Sequence, residues 1–400
     1  MPFTPMRPLC LAVGAALAAA STFASAQTLP GTDTTLRIGG YVKLDAIFNS
    51  RSCGANCGGD QLLTPQLIPV GPGAGDNERG QLTVHARQSR VNVRTNTPTT
   101  KGPFTTFIEG DFFGTAGNET VSNSHGFRLR HAYGTLGDFG AGQTWTNFMN
   151  VAWDPETLNF GGTVGEIFVR QPQVRWTRRT GTGAWSISLE NPEAIFAVPG
   201  TDKTFRADDD RYPDIVGRVD FSVGNTKLFV AALARNIRID SAAAPAAVDD
   251  EWGAGLTIGG LVPTVGRDDF RFLVYGGNSI GRYNTPGFYV DGVIDAAGQV
   301  ELPEIIGGFV AYRHFWTADL RSNLVFGASR ANNPSGTFSG STTGPLGGIN
   351  KSDRAAHVNL IYSPWKNIDV GVEYTYAERE IEGGLSGTLN RVQFSAQYNF

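Results

Sequence analysis

The chain has 400 residues and a formal net charge of −4, with 40% hydrophobic residues, 51 Gly, 21 Pro and three Cys. A balance this close to neutral excludes a basic nucleic-acid binder on bulk charge. After the first 26 residues no apolar run reaches the roughly 18 residues of a helical membrane span.

Met1 to Ala26 reads as an export signal: Arg7, the apolar run Leu9 to Ala20, and the small-x-small site Ala24-Ser25-Ala26, with Gln27 as the expected mature start. Its removal takes away Arg7 and Cys10. Cys53 and Cys57 then remain in RSCGANCGGD. An oxidising compartment permits a small disulfide within that loop, while a metal reading lacks a second ligand pair nearby.

Beyond Gln27 to Thr35, a short segment expected on the periplasmic side, the signal is dyad alternation in segments of about ten residues. Leu36 to Phe48 sets Leu36, Ile38, Val42, Leu44, Ala46 and Phe48 against Arg37, Tyr41, Lys43 and Asp45. One face suits lipid, the other water. A long Gly- and Pro-rich loop follows. In Gln81 to Asn96 the apolar residues switch parity between Ala86 and Val91, which predicts a bulge or a stretch facing a neighbouring subunit. Arg90, Asn92 and Arg94 share the polar face of its later half. Phe104 to Phe113 turns Glu109 and Asp111 inward, and Gly126 to Leu136 turns Arg128 and Arg130 inward two residues apart.

The fifth strand, a short one, leads into an unusual stretch. Between Gln143-Thr144-Trp145 and Val174-Arg175-Trp176 lie about twenty residues that fit neither turn nor strand, an uncommon length for a structureless insert. Phe148, Met149, Trp153, Leu158, Phe160, Ile167 and Phe168 make it too apolar for a solvated linker. It is expected to fold inward over 147–170. Ten further alternating segments follow, from Ala184 to Asn191 through Thr388 to Phe400, giving about sixteen strands in one unit from 36 to 400. The fold class is therefore all-β, a transmembrane antiparallel β-barrel with an inward constriction loop, in the bacterial outer membrane.

The ending RVQFSAQYNF alternates without a break and closes on Phe400, which is similar to the terminal signature read by the barrel-assembly machinery. FVRQPQVRWT after PETLNFGG, with GYVKLDAIF, ARQSRVNVRT and RLRHAYGTLGDFGAGQTWTNF, resembles the DcaP-like family of trimeric outer-membrane porins. The likeness runs from about Ile38 to Asn191, and beyond that lies in the barrel pattern. It implies a sixteen-stranded homotrimer whose third loop forms the constriction, and passive uptake of small anionic solutes such as dicarboxylates. A helical periplasmic extension known among such porins has no counterpart in Gln27 to Thr35.

A narrow pore selects by the charges on its walls, and the planar fork of arginine suits carboxylate. Arg90, Arg94, Arg128, Arg130 and Arg175 are expected to form an inward basic wall, with Arg170 and Arg178 added to it. Arg178 lies on the outward parity of its strand and so fits a periplasmic rim as well. Glu109 and Asp111 are wall acids; Asp154, Glu156 and Glu166 are acids of the loop. Two readings stand together: the arginines brace barrel to loop through these acids, or an acidic loop facing a basic ladder sets a transverse field. Trp153 and Phe160 read as packing of the loop against the wall.

No enzyme is expected, because the five histidines show no HExxH spacing and no serine sits in a GxSxG elbow. No cofactor or metal is expected either. The competing functional reading is a surface-interaction barrel, adhesin-like or receptor-like, with a plugged lumen. Against it, the most aromatic insert sits between strands five and six, whereas the outer loops are mostly Gly, Pro, Ser and Asp.

Overall fold

The computed structural model describes residues 26–53, 60–71, 80–115, 120–197, 201, 204–207, 209–241, 247–284, 288–295, 297–334 and 348–400. Sixteen strands form a closed antiparallel barrel, numbered here in chain order. They are β1 (Thr35–Asn49), β2 (Gln81–His85 and Arg90–Thr97), β3 (Phe104–Asp111), β4 (Arg128–Leu136), β5 (Phe139–Trp145), β6 (Arg170–Arg179), β7 (Gly183–Glu190) and β8 (Asp214–Val223). The second half comprises β9 (Thr226–Ser241), β10 (Ala247–Pro263), β11 (Asp269–Asn278), β12 (Glu304–Phe315), β13 (Leu320–Asn332), β14 (Asn350–Trp365), β15 (Ile368–Ile381) and β16 (Ser386–Asn399). Each strand pairs with the next, and β1 closes on β16 with Tyr41 opposite Asn399. Closure leaves the sheet without an open edge, which is the condition for crossing lipid with strands. The Phe400 backbone continues the seam, exchanging hydrogen bonds with Gly40.

The alternation read from sequence is the alternation of burial. Along β1, Val42, Leu44 and Phe48 are exposed on the outer wall, while Lys43, Asp45 and Asn49 are buried inside. The parity switch in the second strand is a break: β2 leaves the ladder over residues 86–89, where Ser89 N donates to the Ala86 carbonyl at 3.0 Å. In that break Arg87 turns inward and donates to the carbonyls of Phe112 and Thr115. Four residues of β2 thus lie opposite three of β1, and this one extra residue puts Ala86 and Val91 on opposite parities.

The rim bearing Thr35 and Asn399 has tight turns and the opposite rim has long loops, as in bacterial barrels whose short turns are periplasmic. On the long-loop rim, Ala194–Ala197, Thr204–Ala207, Gly292–Ile294 and Val300–Glu301 form a small four-stranded sheet. It is fastened by the buried Arg235 of β9, which binds Asp214 at 3.3 Å and Asp291 at 2.8 Å and donates to the Glu193 carbonyl. The lumen holds a core of its own. Phe148, Met149, Trp153, Ile167 and Val169 of the insert pack on Phe229, Leu233, Leu273, Tyr275 and Phe309 of the wall. Phe148 is 0% exposed, and such burial is worth roughly 1.5–3 kcal/mol.

Candidate pore constriction

The insert, residues 146–169, leaves the wall after Trp145 and rejoins it at Arg170. Its root is set by Glu190 of β7, whose carboxylate accepts from Asn147 N at 2.7 Å and from Gln171 Nε2 at 2.6 Å. From there the loop runs around the inside of the barrel, and a row of wall cations takes up its carbonyls in order. Arg175 Nη2 donates to Trp145 at 2.6 Å, Arg218 Nη1 to Met149 at 2.6 Å and Arg271 Nη1 to Asp154 at 2.6 Å. Arg321 binds the Glu156 carboxylate, and Lys43 Nζ donates to Leu158 at 2.8 Å. Free amides find an acid: Glu373 of β15 accepts from Leu158 N at 2.8 Å. The wall thus meets several of the backbone groups that the loop gives up by leaving the sheet, and others, such as Trp153 N and Gly162 N, are met within the loop, which lets irregular backbone stay buried.

The tip then reverses. Gly162 has φ +69 and Gly165 φ +79, conformations that a side chain would strain. A Cβ on Gly165 would also strike the Gly308 carbonyl oxygen of β12. This close approach seats the returning limb against the glycines of β12 and β13.

Opposite the tip, Arg90, Asp111 and Arg128 are partners in register on β2, β3 and β4. Arg128 grips Asp111 with Nε at 2.8 Å and Nη2 at 3.1 Å. Arg130 binds Glu109 at 2.8 Å and Asp111 at 2.9 Å, and Arg90 lies 3.7 Å from Glu109. Three guanidinium groups thus share two carboxylates. The arginines are braced by acids of the neighbouring strand. What the loop presents to them is Phe160: the Arg90, Arg128 and Arg130 guanidinium carbons lie 5.7, 5.3 and 5.4 Å from its ring centroid, and its ring packs on Phe113 at 4.5 Å. Cations within about 6 Å of an aromatic ring are attracted to its face.

The other predicted residues divide. Arg94 is exposed two rows below Arg90 on the same face, its guanidinium 5.1 Å from the Phe107 centroid. Arg170, at the junction of loop and β6, lies 4.7 Å over Trp145, and its buried Nη1 has no hydrogen-bond partner. No carboxylate pairs with Arg170 among the described residues. Arg175, besides holding Trp145, bonds Gln173 at 2.8 Å and lines a cavity of about 250 Å³ on the short-turn side with Tyr133, Thr177 and Arg179. Arg178 stands apart from the constriction. It is 66% exposed at the turn rim and paired with Asp138 at 3.1 Å, because its parity turns it out of the lumen.

The loop acids correct the expectation of an acidic face opposing the ladder. Glu156 faces Arg321 and Arg313 on β13 and β12. Glu166 bends back to accept from Thr163 N at 3.1 Å, and Asp154 is held through its carbonyl. None of the three is paired with Arg90, Arg128 or Arg130. Cys53 is disulfide-bonded, and Cys57 lies outside the described residues. The predicted export segment, apart from Ala26, also lies outside them. Among the described residues no group of His, Cys, Asp and Glu is arranged to hold a metal.

Sequence reading missed the underside row of Arg218, Arg271, Arg313 and Arg321. The available signal was an acid two residues away on the same face, as in Arg218 with Asp220 and Arg271 with Asp269. It also missed Arg206 and Arg282. These line a cavity of about 380 Å³ on the long-loop side of the ladder, together with Arg128, Arg170, Glu193, Phe160 and Phe168.

Comparison with known proteins agrees with this architecture. The family model described as DcaP outer membrane protein matches residues 16–400. The crystal structure of the outer membrane channel DcaP of Acinetobacter baumannii superposes with a TM-score of 0.78 at 22% identity, covering 94% of this chain and 100% of that one. An anion-selective porin from Comamonas acidovorans gives 0.59 at 11% identity, over 92% of this chain and 100% of that one. The trimer form of OmpT of Vibrio cholerae gives 0.56 at 12% identity, over 92% and 99%. Comparison with curated proteins finds no match.

Proposed function

The chain belongs to the DcaP outer membrane protein family, and from that premise we propose that this outer-membrane porin-type channel prefers anions and passes small carboxylates, dicarboxylates among them. The observation that carries the reading is the charge left over at the constriction. Arg90, Arg128 and Arg130 meet only Glu109 and Asp111, and Arg170 stands beside them with no acid of its own. In a narrow, low-dielectric passage such a surplus favours partial dehydration of anions over cations. The guanidinium fork adds a bidentate match to carboxylate.

The working unit is a homotrimer in outer-membrane lipid, reached by export through residues 1–26 and by assembly through the strand ending at Phe400. The trimer form of the Vibrio cholerae neighbour is consistent with this state. The test is the reversal potential of purified protein in a planar bilayer under a salt gradient. Preference for chloride over potassium, weakened in the Arg128→Ala, Arg130→Ala double variant, is the expected result. Selectivity unchanged by that variant would remove the ladder from the reading; a folded barrel with no conductance would transfer function to the surface loops.

A further inference from the structure

The cavity on the long-loop side of the ladder has a composition that the constriction does not explain. Its walls bring Arg206, from the small loop sheet, and Arg282, from the turn Gly281–Tyr283, to the same space as Arg128 and Arg170. Arg206 is exposed and has no hydrogen bond or ion pair among the described residues. Arg282 donates to the Asn191 carbonyl at 3.0 Å and lies 4.0 Å from Asp214, whose carboxylate already serves Arg235 and the Tyr283 hydroxyl. Set against these four cations, the cavity has one acid, Glu193. The remaining lining includes Phe160 and Phe168.

The placement of these loops is built into the fold. Ile195 and Arg206 are cross-strand partners in the small sheet, Ile195 N is held by Asp291, and Asp291 is anchored by the buried Arg235. A surface arginine on a free loop would sample many positions, whereas here the strand carrying Arg206 is tied to the barrel wall. We propose, as a deepening of the anion-channel reading on which it rests, that Arg206 and Arg282 form an outer capture site. There, a dicarboxylate with a short hydrocarbon body docks before it is handed to Arg170 and Arg128. One carboxylate faces the loop arginines, the apolar body faces Phe168, and Glu193 opposes entry. Cations at a cleft mouth raise the encounter rate of anions more than they raise affinity. The site therefore acts on arrival from the loop side.

Glutarate is a suitable probe, added to either side of full-length channels inserted in one orientation in about 0.1 M KCl, where screening extends about 10 Å. Its association rate is read from the frequency of current blocks. Arg206→Ala with Arg282→Ala is expected to lower the loop-side rate about tenfold, leaving the turn-side rate and the chloride preference as they were. Arg206→Ala alone, which removes no internal bond, is expected to lower it in the same direction, and Glu193→Gln to raise it. In about 1 M KCl, where screening shortens to about 3 Å, these differences should collapse. An unchanged loop-side rate, an equal fall from both sides, or the absence of glutarate block in a chloride-preferring channel would each overturn the capture site. Loss of chloride preference in the unaltered channel would instead overturn the anion reading beneath it.

Discussion

Arg321 of β13 holds Glu156 of the inserted loop with Nε at 2.9 and 3.0 Å and Nη2 at 2.6 Å, across 165 residues of chain. Arg321 is 14% exposed and Glu156 30%, so the pair works in partly excluded solvent, with Arg313 3.7 Å away as a second cation. Hydrogen bonds to charged groups contribute about 1.5–3 kcal/mol each. Arg321→Ala is expected to raise amide hydrogen exchange over residues 150–160 at least about tenfold and to make the open-channel current noisier. Glu156→Gln, which keeps part of the bonding, should do less. Exchange unaltered in both variants would mean that the other carbonyl contacts hold the loop without this pair.

Asp111 separates bracing from selection. It is fully buried and serves Arg128 and Arg130 together. Asp111→Asn removes one of the two carboxylates that the three arginines share, so chloride preference should rise as stability falls. Breaking a buried pair from one side costs about 3–5 kcal/mol, visible as a lower temperature for loss of the compact form on heat-modifiable gel mobility. If selectivity stayed fixed while stability fell, the arginines would be braces only.

The barrel was legible because each strand is a local pattern: lipid outside and water inside impose a period of two that no distant contact is needed to reveal. Arg128 and Arg130 were legible for the same reason, and the break in β2 showed as a change of parity. Arg170 was harder, since at a junction of loop and strand the alternation has no phase to extend. The grip of Arg218, Arg271 and Arg321 on the insert depends on partners 69, 117 and 165 residues away. The sequence shows the cations but not where the loop will pass. The expected transverse field failed at the same step, because inward strand parity says nothing of which wall a loop acid will meet.

Phe160 belongs to the loop, yet it contacts the ladder through its ring. Its ring lies between Phe113 and three guanidinium groups, a position from which it is expected to narrow the passage and order the arginines at once. Phe160→Ala should raise single-channel conductance and shorten the blocks made by carboxylates, since cation–π attraction, about 0.5–1 kcal/mol at an exposed contact and larger at the buried Arg130, no longer fixes the guanidinium planes. Phe160→Tyr, keeping the ring, should preserve both. Conductance that does not change in the alanine variant would place the narrowest point elsewhere.

The loop should also respond to pH through two acids that the wall does not neutralise. Glu166 is 2% exposed, and burial first, then the charge of Asp154, hold its carboxyl well above the usual carboxylate range. Asp154, half-buried, is pushed up to about 7 by desolvation, only partly offset by Arg271. For an acid whose folded pKa is raised, the protonated form is the one that the fold prefers. Its stabilising contribution is complete below the unfolded value near 4 and is lost as pH rises through the folded value. The loop should therefore be tightest in mild acid and loosen on the way to pH about 8, the opposite of acid-induced loosening by loss of ion pairs. Current noise and amide exchange over 154–166, followed from about pH 5 to 8, should both increase, with a midpoint near the Asp154 value. Asp154→Asn should remove that step and, by taking away a neighbouring negative charge, ease ionisation of Glu166. A loop that loosens only below pH about 5 would show that the Glu156 pair with Arg321, not these two acids, governs its response.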